Sequence, residues 1–512
     1  MNLKNIKTPR LIVALLVLQF SVMGHSQYQM TPNIAGNEFF SNPIFAGDYP
    51  DPSIMRDGTD YYIVHSSFEY YQGLLIWHST DLINWNPLVN ALNQYVGSVY
   101  APDLIKHNDK YYIYFPAGGT NFVVWADNIE GPWSNPIDLK VGNIDPGHIA
   151  DDNGNRYLYF SNGGYVPLSE DGLKVTGDIT MAYEGWPLPD DWIIECFCLE
   201  GPKLFKQGDY YYLTVAEGGT SGPATGHTVI SARSKSPLGP WENSPYNPIA
   251  RTESSEEKWW SVGHATIFDD VEGAWWMMLH GYENGHYNMG RQTLLLPVEW
   301  TADGWYKIPD GIEIDQPIKR PAGEAMTSNF TISDSFEGDE LKPQWRYFKE
   351  TDFSRHKIEN NALVIEAKGD VIGNSSPLLT ITADHSYEAQ VEMIIDEGAM
   401  GGLVLMYNEN AYGGILADSE NIHCNIRRWQ FMAEKEVIKN HVFLKIRSIN
   451  DVVNMYYSLD GESWKKVETS LEVSGFHHNA FSEFMSLRVG LTAIGEGTVV
   501  FKNFRYKKIN NN

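Results

Sequence analysis

A repeated pair of strand-like segments fills the first 310 residues and limits the fold more than any other feature. Each repeat has a short apolar segment, a polar turn rich in Asp, Asn and Gly, and then an aromatic group within a second apolar segment. Such turns suit tight hairpins, and the aromatic and β-branched residues beside them suit strands. The aromatic groups recur at intervals of 45–65 residues: Tyr61-Tyr62, Tyr111-Tyr112, Tyr157-Leu158-Tyr159, Tyr210-Tyr211-Tyr212 and Trp275-Trp276.

This interval is the length of a four-stranded blade, and it predicts an all-β protein with a five-bladed β-propeller over residues 35–320. The pattern changes after a stretch rich in Pro and Gly at residues 317–323, which we interpret as a linker. Short alternating strands with turn signals follow, and they predict a β-sandwich of jelly-roll type over residues 328–512.

The first segment of each repeat starts near an acid or a histidine, and these residues are Asp51, Asp103, Asp145, Glu200 and His264. The innermost strands of a propeller line its channel, so equivalent positions of different blades meet at one mouth. Acids at strand starts also satisfy turn donors, so one alone is no evidence of a site. Asp51, Asp145 and Glu200 together, each followed closely by proline, predict a fixed carboxylate cluster. Cleavage of a glycosidic bond needs such a pair, with one acid protonating the departing oxygen while the other activates water or attacks carbon.

Six short motifs follow one another along the propeller: Asp48-Tyr49-Pro50-Asp51-Pro52, Ser66-Ser67-Phe68-Glu69, Ile144-Asp145-Pro146, Glu200-Gly201-Pro202, Ala216-Glu217-Gly218-Gly219 and Gly290-Arg291-Gln292-Thr293. In this order they resemble glycoside hydrolase family 43, which contains β-xylosidases, α-L-arabinofuranosidases and arabinanases. The resemblance covers the whole propeller. The C-terminal part is similar to the concanavalin-like module found in xylosidase-type members of the family.

The resemblance implies a role for each matching residue. Asp51 matches the general base that activates water, Glu200 the general acid, and Asp145 the acid that raises the pKa of Glu200 and orients it. Because the family inverts anomeric configuration, the base and acid carboxyl groups are expected about 6.5–9.5 Å apart.

Four further residues are expected to bind substrate. Phe68 matches a ring beside the terminal sugar, and Arg291 matches an arginine whose planar fork suits vicinal hydroxyls or an acid. Asp103 is interpreted either as a sugar ligand or as a structural acid. Glu217 is expected to support the site through hydrogen bonds.

The resemblance implies no required cofactor, but it raises the question of a calcium ion in the channel. His264 matches a histidine that contacts calcium or its waters in many family members. Calcium prefers oxygen ligands, so a hydrogen-bonded structural histidine remains the alternative.

The three cysteines are too few for a disulfide scaffold. Cys196 and Cys198 have a spacing that is poor for a bridge within a strand, and Cys424 is remote from both. We therefore expect all three to be unpaired.

Charge and the N-terminus predict the partners and the location of the protein. A net charge of −27 without a Lys/Arg run argues against nucleic acid and anionic membranes as partners.

Residues 1–26 resemble a signal peptide, in which Lys4, Lys7 and Arg10 precede an apolar stretch over 11–22 and a small-residue cleavage site. The chain is thus expected to be exported, to a periplasm or out of the cell.

These observations predict an exo-acting, inverting glycoside hydrolase that releases a terminal pentose, with β-D-xylose favoured, from xylo- or arabino-oligosaccharides and polysaccharides of plant cell walls. An α-L-arabinofuranosidase of the same family and a non-catalytic glycan-binding protein remain open. A retaining fructosidase is disfavoured because its Arg-Asp-Pro motif does not occur in the sequence. The sandwich is expected to close one side of the pocket or to bind glycan. The sequence does not predict the oligomeric state.

Overall fold

A computed structural model describes residues 37–426, 429–435 and 439–510. The signal-peptide prediction for residues 1–26 lies outside these residues. The described chain is almost wholly β: it has 38 strands, numbered here in chain order, four short 3₁₀ turns and one α-helix, His478–Phe481. The 3₁₀ turns are Ser161–Gly163, Tyr287–Met289, Phe353–Arg355 and Ile372–Asn374. None of these described helices is long and apolar enough to cross a membrane.

Five antiparallel sheets of consecutive strands form the propeller, which confirms the predicted five blades. Strand β1 (Phe39–Phe40) precedes the blades. Blade 1 contains β2 (Ser53–Asp57), β3 (Asp60–Val64), β5 (Gly73–Ser79) and β6 (Asn86–Leu92), and β4 (Tyr70–Tyr71) leaves it for the sandwich. Blade 2 contains β7 (Asp103–His107), β8 (Lys110–Ala117), β9 (Thr120–Ala126) and β10 (Ile137–Asp138). Blade 3 contains β11 (Gly147–Ala150), β12 (Arg156–Tyr159), β13 (Gly164–Pro167) and β14 (Thr180–Met181).

The last two blades are built in the same way. Blade 4 contains β15 (Glu200–Gln207), β16 (Tyr210–Glu217), β17 (Thr228–Ser234) and β18 (Glu242–Asn243), with β19 (Ala250–Arg251) on the other half of β17. Blade 5 contains β20 (Trp259–Asp269), β21 (Trp275–Glu283), β22 (Arg291–Trp300) and β23 (Tyr306–Lys307). Strand β24 (Ile318–Lys319) pairs with β1 and joins the two ends of this part of the chain.

The predicted aromatic groups lie on the second strand of each blade and fill the space between blades. Tyr212 of blade 4 stacks on Phe205 of the same blade, with ring centroids 5.3 Å apart. It also meets Trp300 of blade 5 edge-on at 5.1 Å. Large rings bury much apolar surface, so these contacts hold neighbouring blades at a fixed angle around the channel.

The C-terminal part is a sandwich of two antiparallel sheets, as predicted. One sheet has the order β33-β32-β31-β30-β37-β28-β25-β4 and the other β26-β27-β38-β29-β34-β35-β36. The strands of the first sheet are β25 (Arg346–Phe348), β28 (Leu378–Ile381), β30 (Ala399–Asn408), β31 (Ala411–Ala417), β32 (Asn421–Ile426), β33 (Trp429–Lys435) and β37 (Arg488–Gly495). Those of the second are β26 (His356–Glu359), β27 (Ala362–Glu366), β29 (Ser386–Ile395), β34 (His441–Ile449), β35 (Val452–Ser458), β36 (Lys465–Glu472) and β38 (Thr498–Lys508).

The sandwich is joined to blade 1 through backbone and side chains. Strand β4 pairs with β25, so a segment of the propeller forms the edge of a sandwich sheet. Trp77 of blade 1 packs edge-on against Phe330 at 5.1 Å, and one buried apolar cluster continues from the propeller into the sandwich. The two parts therefore share a core.

Candidate active site

The residues predicted to meet at the channel lie just before a strand, at its first residue, or where its register shifts. Asp51 and Asp145 lie two residues before β2 and β11, and His264 lies in β20 where its register with β21 shifts. Their φ angles are 56°, 57° and 52°, in the left-handed region that costs energy for residues other than glycine. Asp103 and Glu200 are the first residues of β7 and β15.

Asp51 is buried and is held on every side. Arg291 donates to both carboxylate oxygens, with Nη1 2.8 Å from Oδ1 and Nη2 3.4 Å from Oδ2. Ser66 donates its hydroxyl to Oδ2 at 2.5 Å and accepts the N–H of Ala101. Although burial alone would raise the pKa of Asp51, the charge of the Arg291 guanidinium holds it well below its usual value.

Two histidines beside Asp51 are uncharged near neutral pH. Burial lowers the pKa of His280 to about 3 and that of His264 to about 4. The backbone N–H of Asp51 donates to Nδ1 of His280 at 3.0 Å, so the ring proton of His280 is on Nε2, which lies 3.3 Å from the Thr220 hydroxyl. Arg291 is therefore the group that brings positive charge into contact with Asp51.

Glu200 has an opposite environment. Burial raises its pKa well above the usual value, and the negative charges of Asp145 and Asp51 raise it further. Its side chain is about 20% exposed, and Nε2 of the buried His227 lies 3.9 Å from Oε1. Burial lowers the pKa of His227 well below its usual value, so this imidazole is neutral. A carboxyl group in such surroundings keeps its proton.

Asp145 is tied to the strand that carries Glu200. Its Oδ2 accepts the N–H of Gly201 at 3.0 Å and the Ser161 hydroxyl at 3.1 Å. Burial and then the charge of Asp51 raise its pKa to about 6. Above that pH Asp145 is an anion that opposes ionisation of Glu200.

The imidazole ring of His264 lies between Asp51 and Gly201, the residue that follows Glu200. Nδ1 of His264 lies 3.5 Å from Oδ1 of Asp51, and the other edge of this ring lies 3.0 Å from the position that a Cβ on Gly201 would occupy. Any larger residue after Glu200 would push this ring towards Asp51. Because Gly201 also binds Asp145, all three predicted acids converge on one place.

Two aromatic rings flank Arg291. The Phe68 ring centroid lies 5.9 Å from the guanidinium carbon, and that of Phe484 lies 5.2 Å from it. Phe68 is buried in blade 1, whereas Phe484 belongs to the sandwich and stacks on His478 at 4.2 Å. The sandwich thus supplies one wall of the site.

Asp103 is engaged by other protein groups. Oδ1 accepts Nζ of Lys203 at 2.9 Å, and Oδ2 accepts the N–H of His148 at 2.7 Å. The Ser53 hydroxyl is 3.4 Å from Oδ1. Of the two roles predicted for Asp103, this geometry favours the structural one.

Glu217, at the end of β16, supports the long connection between blades 3 and 4. Its Oε1 accepts the N–H of Trp186 at 2.7 Å, and its buried Oε2 has no protein partner. Burial raises the pKa of this carboxyl to about 8. Glu217 is thus a neutral support for the segment that leads to Glu200.

The expectation that all three cysteines are unpaired is wrong for two of them. Cys196 and Cys198 form a disulfide, while Cys424 is free and buried. The segment before Glu200 is not a regular strand, and the φ of Cys198 is 38°, so strand spacing does not apply there. The disulfide crosslinks the segment four residues before the predicted general acid.

The residues around His264 do not form a calcium cage. Its buried Nε2 has no protein partner, but the atom is a nitrogen, and calcium prefers six to eight oxygens. Among the described residues no group of three or more His, Cys, Asp and Glu side chains is arranged to hold a metal ion.

Sequence patterns did not reveal several residues of the site. His280 lies on the second strand of blade 5 and His227 directly before the third strand of blade 4, both outside any motif, and Phe484 comes from the other part of the chain. Ser66 lies in the Ser66-Ser67-Phe68 motif, whose hydroxyl next to a predicted ring is the only signal that could have indicated it.

The mouth of this five-bladed propeller holds one ion-paired carboxyl group and one that retains its proton. Acid–base cleavage of a glycosidic bond requires such a pair, so the fold and the site indicate a glycoside hydrolase. Residues 40–306 match the family model "Glycosyl hydrolases family 43", and residues 333–507 match "Beta xylosidase C-terminal Concanavalin A-like domain". The chain belongs to glycoside hydrolase family 43 and is a glycoside hydrolase.

Named relatives agree with this assignment. "Non-reducing end alpha-L-arabinofuranosidase BoGH43B" of Bacteroides ovatus is 33% identical over 66% of this chain and 67% of its own length. "Xylosidase/arabinosidase" of Butyrivibrio fibrisolvens is 28% identical over 89% of this chain and 96% of its own length. The crystal structure of the GH43 BlXynB protein from Bacillus licheniformis is 26% identical, with a TM-score of 0.83 over 92% of this chain and 100% of that one.

Proposed function

We propose that this hydrolase removes a terminal pentose, preferably β-D-xylose, from the end of a xylo- or arabino-oligosaccharide or of a plant cell-wall polysaccharide, with inversion at the anomeric carbon. The observation that carries the proposal is the opposite electrostatic setting of Asp51 and Glu200. A base must be ionised and an acid protonated at the same pH, and these surroundings favour that state.

In the reaction, Asp51 accepts a proton from a water molecule as its oxygen attacks the anomeric carbon. Glu200 gives its proton to the glycosidic oxygen as the bond to the leaving sugar breaks. Asp145 keeps Glu200 protonated beforehand, and Arg291 keeps Asp51 ionised and oriented. The cycle ends with Asp51 protonated and Glu200 ionised, and exchange with solvent restores both.

The walls of the pocket favour attack at chain ends. Phe68 and Phe484 flank Arg291 from the propeller and from the sandwich, and an aromatic face suits the apolar face of a terminal sugar ring. The sandwich thereby acts as a part of the pocket rather than as a separate glycan-binding module. No role in binding nucleic acid is proposed.

A terminal α-L-arabinofuranose is the second candidate substrate, because one relative is named for that activity and another for both. We also propose that the chain is exported to a periplasm or out of the cell, on the basis of the signal-like residues 1–26.

The test is hydrolysis of 4-nitrophenyl β-D-xylopyranoside and α-L-arabinofuranoside, with the anomer of the first-formed sugar followed by ¹H NMR. We expect release of the inverted xylose to be faster than release of arabinose. Activity on neither glycoside, or retained configuration, would contradict the proposal. Glu299→Gln on the outer part of blade 5 is a matched control, because Glu299 pairs with Lys307 away from the channel.

A further inference from the structure

A cavity of about 60 Å³ lies between blade 1 and the sandwich, and its lining includes Ser66, whose hydroxyl donates to Asp51. The propeller contributes Asp48, Tyr49, Tyr70, Leu75, Trp77 and residues 65–67, and the sandwich contributes Pro343, Gln344, Arg346, Ile381 and Arg488. Polar and apolar groups line the cavity in similar measure, and it has room for a few water-sized groups.

Two arginines, one on β25 and one on β37, face this space. Only 8% of Arg346 and 8% of Arg488 is exposed. Burying a charge is costly unless a partner of opposite charge accompanies it. Each of these guanidinium groups therefore needs an anionic partner.

The described residues that line the cavity include one acid, Asp48. Its Oδ2 lies 3.9 Å from Nη2 of Arg488, and its Oδ1 accepts the N–H of Arg291 at 3.3 Å. Asp48 therefore balances Arg488, whereas Arg346, whose Nη1 donates to the Trp345 carbonyl at 2.7 Å, has no second acid in the cavity lining to balance its charge. Burial and the nearby Arg488 lower the pKa of Arg346 to about 9, which agrees with this imbalance.

Several hydrogen-bond donors lining the cavity have no partner in the protein. They are Nε of Arg488, Nε2 of Gln344, the Tyr70 hydroxyl and the Ser67 hydroxyl, all buried. The guanidinium carbon of Arg488 also lies 3.7 Å from the centroid of the Tyr70 ring, so this ring packs against the cation. The N–H groups of Arg488 and Gln344 can only donate, and the two hydroxyls can also donate. The unpartnered buried acceptors of the lining, apart from these hydroxyl oxygens, are Asp48 Oδ2 and His65 Nδ1.

We propose that this cavity binds one small monovalent inorganic anion, such as chloride, next to Arg346 at the junction of propeller and sandwich. The anion supplies the missing negative charge and accepts the unmatched N–H and O–H groups. It thereby joins residues of both parts of the chain. This inference does not depend on which sugar the enzyme releases.

The first test is a crystal of the full chain soaked in bromide, with anomalous scattering measured at the bromine edge. We expect a bromide peak in the cavity within hydrogen-bonding distance of Arg346. A cavity that holds only water at high bromide concentration would overturn the proposal.

The second test is thermal unfolding as a function of chloride, with isethionate, an anion too large for the cavity, keeping the ionic strength constant. We expect chloride to raise the Tm in a saturable manner, because binding to the folded state stabilises it. Gln344→Leu keeps the side-chain size and removes a donor, so it should raise the half-saturating chloride concentration about tenfold. Gln316→Leu, at an exposed position outside the cavity, should leave it unchanged. Equal Tm values in the two salts, or a chloride midpoint unaffected by Gln344→Leu, would overturn the proposal.

Discussion

The Asp51 side and the Glu200 side of the propeller mouth differ in the charges that face the carboxyl group and in the backbone that carries it. Asp51 lies between blades 1 and 5, where a bidentate arginine and a serine hydroxyl hold both oxygens. Glu200 follows a long irregular connection crosslinked by a disulfide and faces two other acids. The same functional group is thus ionised on one side and protonated on the other, which is the condition for acid–base cleavage.

The largest expected effect is a loss of kcat in variants of the acid and of the base. Substrates whose leaving groups differ in their need for a proton should distinguish the two residues. Glu200→Gln should lower kcat about 10³-fold on xylobiose, because its leaving group needs a proton, but less than about tenfold on a 2,4-dinitrophenyl xyloside, because that leaving group does not. Asp51→Asn should lower kcat about 10³-fold on both substrates, since water activation is needed in each case. Steady-state kinetics on the two substrates provide the measurement. Equal losses for Glu200→Gln on both would contradict its role as the acid.

Removing the cation on the Asp51 side should shift the acidic limb of the pH profile. Arg291→Gln removes the group that depresses the pKa of Asp51, so the base becomes protonated at higher pH. We expect the acidic limb of kcat/KM to move up by one or more pH units, with a loss of about 10²-fold at the optimum. A profile of lower height but unchanged position would mean that Arg291 serves only to bind sugar.

Removing an anion on the Glu200 side should shift the opposite limb. Asp145→Asn eliminates the neighbouring charge that raises the pKa of Glu200, so the alkaline limb of kcat/KM should move down by about one pH unit. The acidic limb should stay within experimental error, since Asp51 keeps Arg291. Asp103→Asn is the matched control, because Asp103 is a buried channel acid paired with Lys203. An alkaline limb that Asp145→Asn leaves in place would contradict the proposed role of Asp145.

The smallest effect concerns the disulfide. Reduction of Cys196–Cys198 should lower kcat by roughly threefold, because the segment before Glu200 loses a crosslink and the acid is placed less accurately. The measurement compares kcat before and after treatment with dithiothreitol. The double variant Cys196→Ser/Cys198→Ser should be insensitive to the reductant, whereas Cys424→Ala should respond like the wild type. A wild-type enzyme unaffected by complete reduction would show that the crosslink does not position Glu200.

Much of the fold could be predicted because it repeats. Five aromatic groups at blade-length intervals indicate five blades, and acids at equivalent points of the repeats indicate a shared mouth. Asp51, Asp145 and Glu200 come together for that reason, as the motifs suggested.

What the sequence did not reveal depends on contacts between distant segments or on local backbone. Phe484 reaches Arg291 from the sandwich, and no pattern within either part of the chain indicates which loop meets the mouth. The pairing of Cys196 with Cys198 was missed because the argument assumed strand geometry, and Cys198 has a left-handed backbone. The structural role of Asp103 depends on its ion pair with Lys203, which lies 100 residues away in the chain.

The most direct test of opposite protonation is the pH dependence of kcat/KM on xylobiose, whose leaving group needs a proton, for the wild type and for Glu200→Gln. The account predicts that Glu200→Gln loses the alkaline limb, because the ionising acid is gone, and keeps the acidic limb of Asp51 at its low position. An unchanged alkaline limb in Glu200→Gln would contradict the account, since another group would then be the one that must stay protonated.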